Sequence, residues 1–198
     1  MSDPKTLLQM AGANLEPTAL SDAALVIIDA QNEYIDGKLP LTGVGPALET
    51  IAQLLRRARD VGASVVHIAH QGKPGGAFDP EGPGGAIAGP AAPAEGETVI
   101  GKALPNAFAG TELHETLQGL SVTQLILAGF MTHMCVSSTA RAALDLGYGT
   151  TVVADAVATR DLPNPSGGIV TADVLNSAAL AALADRFAVI APLEKIPD

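Results

Sequence analysis

Ala24-Leu25-Val26-Ile27-Ile28-Asp29 decides how this chain is read. Five apolar residues run without a break and stop at a carboxylate. Alternating hydrophobicity suits a strand with one wet face, whereas an unbroken run suits a strand covered on both. The rest of the sequence repeats the signal, with β-branched runs at 64–69, 98–100, 124–128, 150–154 and 187–190. Helix-period stretches stand between them. One opens at Pro46, carries Leu48, Ile51, Leu54, Leu55 and Ala58 on one face, and stops at Gly62. Others are expected over 111–120 with Thr111 as N-cap, over 134–146 closed by Gly147, and over 171–185. This alternation predicts an α/β fold of three layers, helices on both faces of a six-stranded parallel sheet. Ligands of such sheets bind beyond the carboxyl ends of the strands.

The chain has 198 residues, which at roughly 150 residues per domain reads as one domain over 1–198 with a short N-terminal extension over about 1–20. Its formal charge is −10, from 11 basic and 21 acidic side chains. That disfavours nucleic acid and anionic membrane surfaces, which reward basic patches. Hydrophobic residues make up 47 % and charged residues 16 %, so the composition is not that of a disordered chain. No apolar run approaches the ~20 residues of a membrane helix. Met1-Ser2-Asp3-Pro4-Lys5 does not open like a signal peptide. The single cysteine, Cys135, allows no internal disulfide, and a reduced, cytoplasmic setting is expected. Residues 72–96 are dominated by Gly, Ala and Pro. A loop of that length is unusual and often functional. It reads either as an active-site cover or as a surface ordered by a neighbouring subunit.

Three reactive side chains fall where strands end: Asp29 after the first, Lys102 after the third, and Cys135 beyond the fourth at the start of a helix. Singly, each has a plain structural role: a turn-forming Asp, a solvated Lys, a small buried Cys. Together they suit nucleophilic catalysis. A thiol attacks only as thiolate, which a helix N-terminus and a nearby ammonium favour. A carboxylate supplies the base that takes the thiol proton. Backbone amides in the turn 129–135 are placed to hold an oxyanion.

Ile27-Ile28-Asp29-Ala30-Gln31-Asn32-Glu33-Tyr34 resembles the D-x-Q-N-x-F motif of the isochorismatase-like cysteine hydrolases. Gly101-Lys102-Ala103-Leu104-Pro105-Asn106-Ala107-Phe108 resembles their lysine motif, and Gly129-Phe130-Met131-Thr132-His133-Met134-Cys135-Val136 their G-x-x-T-x-x-C-V motif. Ala154-Asp155-Ala156-Val157-Ala158-Thr159-Arg160-Asp161 resembles the segment after their fifth strand. The likeness runs from about residue 22 to 190. It implies a Rossmann-like sheet in the order 3-2-1-4-5-6. It implies Cys135 as the nucleophile that forms a thioester, Asp29 as the base, and Lys102 as the charge that keeps both ionised. It also implies a cis peptide between Phe130 and Met131, and an oxyanion hole from the backbone amides of Met131 and Cys135. Homo-oligomers, dimers or larger, are common in the family. Lys102 poses a geometric question, because its strand is not a neighbour of the first.

Tyr34 stands where the family more often has Phe, which adds a hydroxyl near the site. The D-x-H metal motif of the nicotinamidases is absent, since Asp36-Gly37-Lys38-Leu39-Pro40 fills that region and no His precedes His67. No catalytic metal and no cofactor are therefore expected. Gln31, Tyr34, His70, Asn106, Phe108 and His133 are the candidate substrate contacts, with core packing the alternative for Phe108 and a subunit interface for His133. His67 reads as a hydrogen-bonded core-edge residue, and Arg160 as an ion-pair partner of Asp155 and Asp161. The expected activity is hydrolysis of a small amide, carbamoyl or related C–N substrate. The alternatives are an isochorismatase-type vinyl ether hydrolase, which needs only the acid, and a binding scaffold without turnover.

Overall fold

The apolar run at 24–28 is strand β1 (Ala24–Ile28), buried at all five positions. The computed structural model describes residues 3–198. Met1 and Ser2, which open the segment read above for a leader, lie outside the described residues. β2 (Ser64–His70) and β4 (Gln124–Phe130) flank β1, and β3 (Thr98–Lys102) lies outside β2. β5 (Gly149–Ala158) and β8 (Val189–Ala191) follow β4, so the sheet runs β3-β2-β1-β4-β5-β8. Every pairing in it is parallel. The order implied by the resemblance is the order found.

Both faces are covered because the strand residues are apolar on both. Leu25 and Ile27 join Ala47, Leu48, Ile51, Leu54, Leu55 and Ala58 of α2 (Val44–Asp60) in one cluster. Ala24, Val26 and Ile28 face the other way. They pack with Leu113 and Leu117 of α3 (Leu113–Gly119), Ala140 and Ala143 of α4 (Ser137–Asp145), and Leu183 of α5 (Ala172–Arg186). Each fully buried Leu or Ile contributes roughly 1.5–3 kcal/mol of transfer free energy. Near the N-terminus, α1 (Leu7–Met10) is closed by a Thr6–Gln9 capping box and donates its Leu7 amide to Asp185 of α5 at 2.8 Å. Among the described residues, no helix is long and apolar enough to cross a membrane.

Several expectations need correction. Lys102 is the last residue of β3 and does not follow it. Phe187 and Ala188 precede the last strand; Phe187 instead lies under the Arg141 guanidinium at 4.2 Å. Thr111 is not the N-cap of α3. Its hydroxyl donates to the Ala107 carbonyl at 2.6 Å, and Glu112 takes the cap position. β5 is twice as long as its apolar core, and a hairpin, β6 (Leu162–Pro163) with β7 (Ile169–Val170), was not foreseen. Two-residue strands joined through Gly167 and Gly168 are too short to leave a periodic pattern.

Residues 72–96 are not structureless. Gln31 pairs with Ile87 in an antiparallel bridge, and the Ala88 amide donates to the Ala30 carbonyl at 2.8 Å. Asn32 donates its side-chain amide to Pro83 at 3.2 Å. Ala88 and Ala91 are buried against the α2 cluster. At the far end Glu97 gathers Arg59 at 2.8 Å, His67 at 2.9 Å and the Ala94 amide at 2.7 Å. The Arg59 hydrogen bond chiefly holds the Glu97 carboxyl down at about 2.

Gly129 makes the sheet geometry possible at the point that matters. Its φ is 117°, and a Cβ there would stand 2.0 Å from the Ile28 carbonyl oxygen. We expect Gly129→Ala to lose on the order of 3 kcal/mol or more, from a disallowed φ and a backbone clash. Denaturant unfolding beside the parent protein measures this. A loss below about 1 kcal/mol would mean that β1 and β4 approach less closely than described.

Candidate active site

Three strand ends converge on one ammonium group. Asp29 follows β1 in the left-handed region at φ 50°, which Asp tolerates better than most side chains. Its amide is held by the Ile68 carbonyl of β2 at 2.9 Å. Lys102 comes from β3, two strands away, or about 9.6 Å at the usual spacing. The long Lys side chain crosses the end of β2 and brings Nζ to 2.7 Å from Asp29 Oδ2. That answers the geometric question: the strand need not bend, because the side chain spans the gap. Nζ also lies 3.4 Å from Cys135 Sγ and 3.3 Å from His70 Nδ1. The Lys102 ammonium is thus ion-paired to Asp29 and within hydrogen-bond reach of Cys135 and His70.

Cys135 sits in a single π-helical turn, Thr132–Val136, between β4 and α4. The Phe130–Met131 peptide is cis. The Met131 carbonyl accepts from the amides of Met134 at 3.0 Å and Val136 at 3.2 Å, which closes the wide turn. Among the described residues the Met131 amide has no acceptor in the chain. Asp29, Lys102 and Cys135 are 0 %, 2 % and 4 % exposed, so the site is shut off from bulk water. A cavity of about 330 Å³ lined by Gln124, Gly149 and Thr150 opens at the amino ends of β4 and β5. It lies at the wrong end of the strands to serve these residues.

The sequence model of the Isochorismatase domain matches residues 23–195. An isochorismatase of known structure from Pseudomonas putida KT2440 superposes with a TM-score of 0.94 at 46 % identity, over 98 % of this chain and 100 % of its own. The secreted isochorismatase effector of Verticillium dahliae is 37 % identical over 179 residues, 90 % of this chain and 92 % of that protein. The maleamate amidohydrolase of Pseudomonas putida is 34 % identical over 154 residues, 69 % of this chain and 72 % of that protein. The chain belongs to the isochorismatase family. Its relatives are named as hydrolases and amidohydrolases, and it is an isochorismatase-family hydrolase.

The electrostatics of this isochorismatase-family site differ from the expectation in one respect. Lys102 was expected to keep Cys135 ionised. Burial, and after it the Asp29 charge, push the thiol up to about 12, and Lys102 only partly offsets them. Burial also raises the Asp29 carboxyl above its ordinary range, again against Lys102. Burial therefore favours the Cys135 thiol over the thiolate. Both Asp29 carboxylate oxygens are buried, and Oδ2 is ion-paired to Lys102. His70, lowered chiefly by burial and then by Lys102, is neutral. Its Nδ1 can then serve only as an acceptor for the ammonium.

The other candidate contacts separate into two groups. Tyr34 is 2 % exposed, and burial, with the Asp29 charge after it, holds it as a phenol. His133 gives or takes a hydrogen bond at 2.6 Å with Thr159 beside the cysteine turn. Gln31 is spent on backbone: its Nε2 donates to the His70 and Gly85 carbonyls and its Oε1 accepts from the His70 amide. Asn106 caps the Phe108 amide at 2.9 Å, and Phe108 stacks on Tyr148 at 5.9 Å. The structure thus does not bring Gln31, Asn106 or Phe108 to the triad as free side chains. Asp155 and Asp161 cap the amides of Leu193 and Ala172 instead of pairing with Arg160. The buried Nε of Arg160 has no hydrogen-bond partner among the described residues. Among the described residues, no group of three or more His, Cys, Asp or Glu side chains has a metal-binding arrangement.

Two outcomes follow from the charges. Asp29→Asn removes the negative charge that raises the thiol and leaves Lys102 beside it, so the Cys135 pKa falls. Each unit of fall raises the thiolate fraction about tenfold at pH 8. Alkylation by iodoacetamide, followed by intact mass, should be faster in Asp29→Asn than in the parent. A slower reaction would overturn the assignment of Asp29 as the charge that raises the thiol. Lys102→Met leaves the Asp29 carboxylate buried without its counter-charge, at a cost of about 3–5 kcal/mol in stability. Chemical denaturation should show it, and Asp29→Asn in the same chain should restore part of the loss.

Proposed function

We propose that this protein hydrolyses a small amide, carbamoyl or related C–N substrate through a thioester on Cys135. The Lys102 ammonium, in contact with both Asp29 and Cys135, is the observation that carries this reading. Asp29 accepts the thiol proton and the thiolate attacks the carbonyl carbon. The backbone amides of Met131 and Cys135 receive the oxyanion. Asp29 then returns the proton to the leaving nitrogen as the C–N bond breaks. A water molecule, deprotonated by Asp29, attacks the thioester and releases the acid and the thiol. Lys102 keeps Asp29 anionic enough to act as base in a site that would otherwise neutralise it. Tyr34, His70 and His133 are the candidate substrate contacts. The relative named as an amidohydrolase supports this substrate class.

A second reading is a vinyl ether hydrolase in which Asp29 acts as the acid. The raised Asp29 carboxyl suits an acid, and two relatives are named as isochorismatases. The occupied cysteine position favours the first reading. We further read residues 1–198 as one domain that works as a homo-oligomer in the cytoplasm. The lone cysteine supports the compartment, although one relative is named as secreted.

Cys135→Ala should abolish amide turnover while circular dichroism stays unchanged. A quenched reaction of the parent protein should show an acyl adduct on the peptide containing Cys135 by mass spectrometry. Hydrolysis that survives Cys135→Ala would move the assignment to the vinyl ether reading. Because burial raises Asp29, kcat/KM should fall on the acid side at a pH above 3.8, the ordinary value for Asp. An acid limb at or below that value would remove Asp29 as the base.

A further inference from the structure

We propose that Phe78 is the specificity-determining wall of this site, closing it from the loop side and limiting the size of the acyl group it accepts. The proposal deepens the cysteine-hydrolase reading and rests on it for the acyl group. The triad is 4 % exposed or less, so some group must stand between Cys135 and solvent. Phe78 is the aromatic side chain that the 72–96 loop contributes there. Its ring lies 5.0 Å from Tyr34 and 5.1 Å from His70, edge to face in both cases. His70 in turn brings its Nδ1 to 3.3 Å from Lys102 Nζ, which joins the ring that Phe78 meets to the triad. Phe130, at 5.8 Å from Tyr34, completes the aromatic enclosure. His70 and Phe130 end strands β2 and β4, and Tyr34 stands in the short 3-10 turn Asn32–Tyr34. Phe78 is the ring that the 72–96 loop supplies.

The loop holds Phe78 in an unusual way. Its φ is 57°, a left-handed conformation that a bulky aromatic residue rarely adopts. Non-glycine residues held there cluster at ligand clamps and active sites. The Phe78 carbonyl accepts the Gly72 amide at 2.8 Å, which closes residues 72–78 into a small excursion. Gly72 must lack a side chain, since a Cβ would stand 1.8 Å from the Ala77 carbonyl oxygen. From outside, the excursion is tied by Lys38 Nζ to the Gly75 carbonyl at 2.7 Å and by the buried Glu33 carboxylate to the Phe78 amide at 3.3 Å. The neighbouring stretch 83–88 is pinned by Gln31, Asn32 and Ala30.

The test compares alkylation of Cys135 by iodoacetamide and by the bulkier N-phenylmaleimide, read by intact mass, in the parent, Phe78→Ala, Phe78→Leu and Lys38→Ala. The expected result is a rise of at least tenfold in the N-phenylmaleimide rate relative to iodoacetamide in Phe78→Ala, and a smaller rise in Phe78→Leu. Lys38→Ala, which frees the excursion but keeps the ring, should speed both reagents with little change in their ratio. An unchanged ratio in both Phe78 variants, with parent-like circular dichroism, would overturn the proposal. Phe78→Leu decides if Phe78→Ala does not fold. Turnover of an acyl series from acetyl to benzoyl p-nitroanilide adds the functional arm, with the optimum shifting to larger acyl groups in Phe78→Ala. If the parent cleaves no anilide, the proposed substrate class fails, and the reagent ratio still decides the role of Phe78.

Discussion

A single buried ammonium organises the functional end of this molecule. Lys102 Nζ is ion-paired to Asp29 and hydrogen-bonded to Cys135 and His70, each from a different part of the fold. A charge that is 2 % exposed survives only if it is paired and hydrogen-bonded. The strand order sets the distances, and the length of the Lys side chain makes up the difference. The same burial that makes the pair costly raises both Asp29 and Cys135 toward their neutral forms. The fold thus holds a carboxyl, a thiol and an ammonium together in a place closed to bulk water.

Much of this was legible in the sequence because the signals were local. An unbroken apolar run ending in Asp29 announces a doubly covered strand and a residue at its carboxyl end. The amphipathic stretch after Pro46 announces α2 with its buried face. What escaped depends on contacts between distant segments. Glu97 and Arg59 are 38 residues apart, yet together they anchor the end of the loop. Asp161 caps α5 from eleven residues away, so no cap was visible next to that helix. Thiol acidity was misjudged for a related reason. Residue types suggested a thiolate, but the balance depends on how far the site is buried, and burial is not a property of any one residue.

The first motif also carried more than its chemistry suggested. Asp29 is the only one of its polar residues that faces Lys102. Gln31, Asn32 and Glu33 all turn their side chains to the backbone of residues 70–88. A reader expecting substrate contacts from every polar residue near a reactive carboxylate would assign them wrongly. Hydrogen-bond accounting settles the matter: Gln31 has already committed both ends of its amide.

That accounting has a consequence for how the molecule tolerates change. Because the anchors bind main-chain atoms, they are indifferent to the side chains of the segment they hold. Side chains of the cover that neither a tight glycine nor an anchor fixes can therefore change without touching Asp29, Lys102 or Cys135. A lineage carrying this scaffold can diversify what it admits while inheriting its reactive core unaltered.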